Sequence, residues 1–206
     1  MTEALGTVGE LARAWRLEGR LRRAMIYGGA LDRCLDSTVE ISDRAKTIAG
    51  TAFTQDRRIV LNAQLFRVGR EADRNATFLH ECAHIIANCH KRRDCGHGAG
   101  WRDVMATLGE PTDRCHNIRY LSPKAHAVVT WQCRGCGQEY HFVRPPRRRP
   151  QNCWCAHCGP RQGRLALHWE AASFERSKRT RTASPPRTLA ASRTKAAKPS
   201  SKRRKR

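Results

Sequence analysis

Near the middle of the chain, His80, Glu81 and His84 form a His-Glu-x-x-His motif. Residues four apart lie on one face of an α-helix, one turn above the other, so a helix lets both imidazoles bind one metal ion. Zinc is the metal typical of such a pair, with nitrogen ligands at about 2.0–2.1 Å. Glu81 is placed to act as the general base that activates a zinc-bound water. The motif therefore predicts a helix that carries a catalytic zinc site.

A catalytic zinc site of this kind needs a third protein ligand, and two later histidines are candidates. His90 follows His84 by six residues, on the same helix or its frayed end, which places it about 120° away from His84 around the helix axis. His97 follows a turn at the start of the next predicted helix, where the chain can fold back. We therefore favour His97 as the third ligand.

Apolar periodicity before the motif indicates helix followed by strands. Residues 8–35 carry a rough apolar stripe at helical spacing, with an interruption at Gly28 and Gly29. The next segments are short and rich in β-branched residues, and their connections are too short for crossovers, so we expect a small antiparallel sheet. Its three strands are predicted over residues 38–42, 47–54 and 58–66.

Two further helices complete the predicted α+β domain. The first fills residues 77–88 and contains the motif, with Asp73 or Asn75 as its cap. The second runs over residues 98–108 and ends at Gly109, a residue typical of helix C-termini.

Four cysteines predict a second zinc site. Cys133 and Cys136, and Cys155 and Cys158, form two Cys-x-x-Cys-Gly turns separated by 18 residues. Four thiolates close a tetrahedral site, so this zinc is expected to be structural, as in a zinc ribbon with strands at 128–132 and 139–143. Cys153 is an alternative to Cys155, but the Cys-x-x-Cys-Gly form favours Cys155.

Composition limits the compartment and the partners. The N-terminus has no signal peptide pattern and no run of about 18 apolar residues occurs, so we expect a cytoplasmic protein with reduced cysteines and no membrane contact. The net charge is +22. Residues 174–206 hold 13 Lys or Arg against one acidic residue, which predicts a disordered tail that binds nucleic acid.

Aromatic residues accompany the predicted ribbon. We favour a role in a small core; the alternative is that one or two of them stack on exposed bases. They are Trp131, Tyr140, Phe142, Trp154 and Trp169.

The motif and its surroundings resemble the SprT-like family of zinc metallopeptidases, which includes the Spartan proteases. The segment 77–84 matches the family's metal helix, and 96–101 matches its His-Gly-Pro-x-aromatic stretch with Ala99 in place of proline. The strand 59–66, with Asn62 inside it, is also similar to the family. The resemblance covers about residues 8–165 and implies a zincin-like fold, often followed by a zinc ribbon. It also implies a role in DNA repair, with substrates that are bound or crosslinked to DNA.

Together these features predict a peptidase domain over 1–122, a zinc ribbon over 123–172 and a disordered basic tail over 173–206. We expect one catalytic and one structural zinc ion, a protein substrate, and DNA bound through the tail and ribbon. Such a protein is expected to be nucleoid-associated, or nuclear in a eukaryote. The oligomeric state stays open.

Two other functions compete with this interpretation. The first is a non-enzymatic DNA-binding zinc protein with a structural or vestigial histidine site. Glu81 argues against it, because a structural site does not need a carboxylate there. The second is a peptidase that acts on free proteins and uses the tail for localisation only.

Overall fold

The computed structural model describes residues 2–113 and 118–171. The described residues up to Glu170 belong to one compact unit, which is α+β as predicted. The predicted disordered tail, from residue 173 onward, lies outside the described residues. Within the described ranges, no helix is long and apolar enough to cross a membrane.

The first sheet has four strands in the order β1-β2-β4-β3. Pairs β1–β2 and β3–β4 are antiparallel, and β2–β4 is parallel. The strands are β1 Thr2–Thr7, β2 Thr38–Ser42, β3 Gly50–Phe53 and β4 Arg58–Asn62.

The prediction of an antiparallel sheet is wrong for the pair β2–β4, and β1 was not predicted. Residues 43–57 connect β2 to β4, which is long enough for a crossover, and β3 lies within that connection on the far side of β4. The parallel register places Val39 beside Ile59, and both are buried. Strand β1 lacks the alternation of apolar and polar residues that would reveal it in the sequence.

The predicted helix over 8–35 is divided into α1 Val8–Ala14, α2 Glu18–Arg22, a 3₁₀ turn and α3 Gly29–Leu35. Thr7 begins α1 with a capping box that includes Glu10. Gly28 adopts a φ of 51° between the 3₁₀ turn and α3, so the predicted interruption there is confirmed.

The helix with the histidine motif is α4, Glu71–Lys91, longer than predicted. Asp73 and Asn75 lie inside it, so neither caps it; Arg70 precedes it without a side-chain cap. Helix α5, Ala99–Leu108, lies between Gly98 and Gly109 as predicted. The core of this part of the chain lies between the first sheet and the helices. It includes Val39, Ile59, Leu61, Phe78, Ile85, Ile86, Trp101 and Leu108.

The second sheet has three antiparallel strands in the order β6-β5-β7. They are β5 Val129–Cys133, β6 Glu139–Phe142 and β7 Leu165–Glu170, with the short helix α6 Gly159–Gln162 before β7. The sequence predicted β5 and β6 within one residue but not β7. Leu165, Leu167 and Trp169 recur at every second position of β7, a strand pattern that the sequence prediction missed. Only Leu165 of the three is buried.

Candidate metal centres

Three histidines meet above the first sheet. His80 and His84 project from α4, and His97 comes from the loop that leads into α5. Their candidate ligand atoms all lie within 4.8 Å of one another, and the Nε2 atoms of His80 and His97 are 3.1 Å apart. Two nitrogens of a tetrahedral zinc site are about 3.3 Å apart, given zinc–nitrogen distances of about 2.0–2.1 Å. The three imidazoles therefore fit one zinc ion.

Trp101 packs against all three histidine rings. Its ring centroid lies 4.8 Å from that of His80, 5.6 Å from that of His84 and 4.7 Å from that of His97. The indole is fully buried, and its Nε1–H donates to the backbone carbonyl of His80 at 3.4 Å. Trp101 therefore supports the imidazoles from the core side. In the sequence, Trp101 is marked only as the aromatic residue at the end of the stretch 96–101.

His90 lies on α4 but outside this group. Its ring packs against Tyr27, with centroids 5.2 Å apart. The structure therefore brings His97, and not His90, to the pair in the motif. Cys82, which lies inside the motif, is fully buried in the core.

The environment of His84 keeps its imidazole neutral at physiological pH. Burial, and after it the nearby His97, lower its pKa to about 4, although Asp94 and a backbone hydrogen bond with Gly96 act in the opposite direction. Neutral imidazole is the form that binds a metal ion. His84 is therefore in the protonation state that a metal ligand needs.

Glu81 is buried beside the histidines, with 5% of its surface exposed. Burial raises the pKa of its carboxyl to about 8, and a hydrogen bond from the backbone N–H of Ala52 acts against that rise. A nearby cation would favour the carboxylate. The carboxyl can therefore exchange a proton near neutral pH.

The histidines and Glu81 line an open cleft of about 710 Å³. One wall is the segment 47–52, which includes the start of the edge strand β3; the other includes residues 121–123. Asn62 fixes the backbone of the first wall, because its Nδ2 donates to the backbone carbonyls of Ala45 and Ile48, each at 2.8 Å. Tyr120 holds the second, since its hydroxyl donates to Asp73 Oδ2 of α4 at 2.7 Å.

The four predicted cysteine ligands form a second group. Candidate ligand atoms of Cys133, Cys136, Cys155 and Cys158 lie within 4.8 Å of one another, and Cys153 is not part of the group. The sulfurs of Cys136 and Cys155 are 3.8 Å apart. A disulfide requires about 2.05 Å, whereas two thiolates at about 2.3 Å from one zinc ion are about 3.8 Å apart. The cysteines therefore fit a metal site.

Hydrogen bonds within this group shift the thiol pKa values in opposite directions. The pKa of Cys155 falls to about 6, first because the Tyr140 hydroxyl donates to it and then because of the backbone N–H of Cys158. The pKa of Cys158 rises to about 12, first through its hydrogen bond with Cys136. Tyr140 therefore stabilises the thiolate of Cys155, a contribution that was not predicted from the sequence.

The aromatic residues of the second sheet divide into two sets. Trp131 is buried and packs against Phe142, with centroids 4.6 Å apart, as predicted for a small core. Trp154 is 53% exposed and Trp169 is 48% exposed. Only part of the aromatic set therefore fills the core.

Comparison with known proteins identifies the family. The family model "SprT-like family" matches residues 31–120. Over 117 residues, Protein SprT of Erwinia tasmaniensis is 33% identical, a match that covers 55% of this chain and 68% of the relative. Protein SprT of Pseudomonas aeruginosa is 30% identical, covering 53% and 70%, and that of Escherichia coli is 32% identical, covering 55% and 70%. No solved structure matches the chain significantly. The chain belongs to the SprT-like family.

Proposed function

We propose that this protein is a zinc-dependent endopeptidase in which His80, His84 and His97 hold the ion and Glu81 is the general base. The observation that carries the proposal is the position of Glu81. Its carboxyl is buried next to the three imidazoles and lines the same open cleft. A purely structural site gains nothing from a carboxyl that is costly to bury in its charged form.

In this proposal, zinc supplies the Lewis acid that polarises a peptide carbonyl and makes water more acidic. Glu81 accepts a proton from the attacking water and returns it to the amine that leaves. An extended substrate can lie along β3, an edge strand whose first residues line the cleft. The open cleft suits an unfolded segment better than a compact domain.

The direct test compares wild type with Glu81→Gln on an unfolded, fluorescently labelled protein. The amide keeps the size of the side chain but cannot take the proton, so we expect cleavage to fall by roughly 10²–10⁴-fold at equal zinc content. Glu3→Gln, at an exposed position of β1, is the matched control and should keep full activity. Equal cleavage by wild type and Glu81→Gln would refute the role of Glu81.

We further propose that the four cysteines hold a structural zinc ion in a zinc ribbon over about residues 123–172. The support is the closed set of four sulfurs between β5 and α6. Gly163 leaves room for the turn that carries Cys158. A Cβ at position 163 would lie 2.8 Å from Cys158 Cβ and 2.7 Å from the carbonyl oxygen of Gly159.

We also propose that the substrates are proteins bound or crosslinked to DNA. Three features support this substrate class: the net charge of +22, the tail of 13 basic residues over 174–206, and the exposed indoles of Trp154 and Trp169. The test measures cleavage of a DNA-binding protein with and without DNA. Faster cleavage with DNA supports the proposal, and an unchanged rate would leave a peptidase of free proteins.

A further inference from the structure

The strand β3 passes unusually close to the side chain of Glu81. A Cβ placed on Gly50 would lie 2.9 Å from Glu81 Cγ and 2.9 Å from Glu81 Oε1. Carbon atoms in contact normally stay about 3.5–4.0 Å apart. Any side chain at this position would therefore displace either the strand or the carboxyl.

The backbone conformation of Gly50 does not explain the glycine. Gly50 is not among the residues with positive φ, and it pairs with Leu61 in the regular ladder between β3 and β4. An alanine can adopt such an extended conformation. The close approach to α4 is therefore the feature that demands glycine here.

The same strand also bonds the carboxyl directly. The backbone N–H of Ala52, two residues after Gly50, donates to the carboxyl of Glu81. Alternate residues of a strand face the same side, so Gly50 and Ala52 both face α4. One residue makes room for the carboxyl and the other supplies a hydrogen-bond donor.

A second contact at Gly50 offers a structural alternative. The Cβ would also lie 2.8 Å from Thr77 Cγ2, one turn before Glu81 on α4. Thr77 is fully buried, and its hydroxyl has no hydrogen-bond partner within the described part of the chain. A glycine needed only for packing against Thr77 would have no specific effect on catalysis.

We propose that Gly50 is a positioning residue for Glu81: its missing side chain lets the β3 backbone hold the carboxyl in the orientation that accepts the proton. The inference rests on the proposed peptidase function and deepens it. Because β3 also lines the cleft, the substrate and the base are located by the same strand. Errors in the position of a reacting group of about 1 Å can cost about 10²-fold in rate.

The test is Gly50→Ala, measured for kcat, KM and zinc content on the unfolded substrate. We expect kcat to fall about 10- to 100-fold while KM and zinc content stay close to wild type, because the carboxyl moves and the metal ligands do not. Gly19→Ala is the control, since a Cβ at that position of α2 meets no atom within 4 Å. An unchanged kcat in Gly50→Ala would overturn the inference.

The double variant Gly50→Ala/Thr77→Ser separates the two contacts. Serine removes the Thr77 methyl and leaves the contact with Glu81, so the loss of kcat should persist. Recovery of kcat in this double variant, relative to Thr77→Ser alone, would show that Thr77 was the cause and would overturn the inference.

Thermal unfolding keeps the inference testable if Gly50→Ala folds poorly. Adding Glu81→Ala removes Cγ and the carboxyl oxygens, so it should recover more of the lost Tm than Thr77→Ser does. A larger recovery of Tm with Thr77→Ser than with Glu81→Ala would overturn the inference. This comparison needs no activity, so it tests the contact between Gly50 and Glu81 separately from the proposed role of Glu81 as the base.

Discussion

Replacing Glu81 by Gln should change how the stability of the metal-free protein depends on pH. The folded pKa of this carboxyl is about 8, against an ordinary value of 4.5, because burial disfavours its charged form. The stability linked to it is fully present below about pH 4.5 and is lost as the pH rises toward 8. Integrated from pH 6.5 to 8.0, one group with these pKa values costs about 1.6 kcal/mol of the free energy of unfolding.

The window above pH 6.5 is chosen because of His84. Its folded pKa is lowered from 6.5 to about 4, so the stability linked to it is present above 6.5 and is lost as the pH falls toward 4. Its effect therefore has the opposite sign to that of Glu81 and lies below the chosen window. Titration of the other groups cancels when wild type and Glu81→Gln are compared at the same pH.

The measurement is urea unfolding of both proteins in chelator and reductant at pH 6.5, 7.2 and 8.0. The free energy of unfolding of Glu81→Gln minus that of wild type should increase by about 1.6 kcal/mol between pH 6.5 and pH 8.0. Zinc should reduce that growth, since a cation near Glu81 favours its carboxylate. If this difference in the free energy of unfolding does not change with pH, the carboxyl titrates at its ordinary pKa. The desolvation of Glu81 that the structure indicates would then be refuted.

Three further predictions concern the metals and the tail. Elemental analysis should give about two zinc ions per chain, of which His84→Ala should lose one and Cys136→Ser the other. If either variant kept both zinc ions, the proposed ligand set that it alters would be contradicted. Trp101→Leu should weaken zinc binding at the histidine site about 10- to 100-fold in a chelator competition, because the imidazoles lose their support, and equal affinity would refute that role. Deleting residues 174–206 should weaken DNA binding and make its salt dependence shallower in fluorescence titrations; unchanged affinity and slope would show that the tail does not bind DNA.

The metal groups could be predicted from the sequence because their spacing encodes local geometry. A spacing of four residues on a helix fixes the position of His80 relative to His84. Each Cys-x-x-Cys turn likewise fixes the relative position of two sulfurs. His97 needed one further step, the expectation that the chain turns back before α5. The structure brings all of these residues together with the expected partners.

Features that depend on distant segments could not be predicted in this way. The parallel pair β2–β4 depends on where β3 is inserted, and neither strand carries a local mark of its neighbour. The contact of Gly50 with Glu81 joins residues 31 positions apart, and a glycine in a strand has several explanations until the opposing atoms are known. Tyr140 likewise seemed a core residue, whereas its hydroxyl donates to Cys155.

The two metal groups differ in the charge that their ligands bring, and this difference separates their chemistry. Three neutral imidazoles would leave a bound divalent cation with its full charge, so it would act as a strong Lewis acid beside the cleft of about 710 Å³. Four thiolates would bring a charge of −4, which exceeds the charge of such a cation, and would leave no coordination position for water or substrate. Glu81 borders the first group, where an acidic water needs a base, and Tyr140 donates to the second, where excess negative charge needs a hydrogen-bond donor. The ligand types and their neighbours thus favour catalysis at the histidines and a structural role at the cysteines.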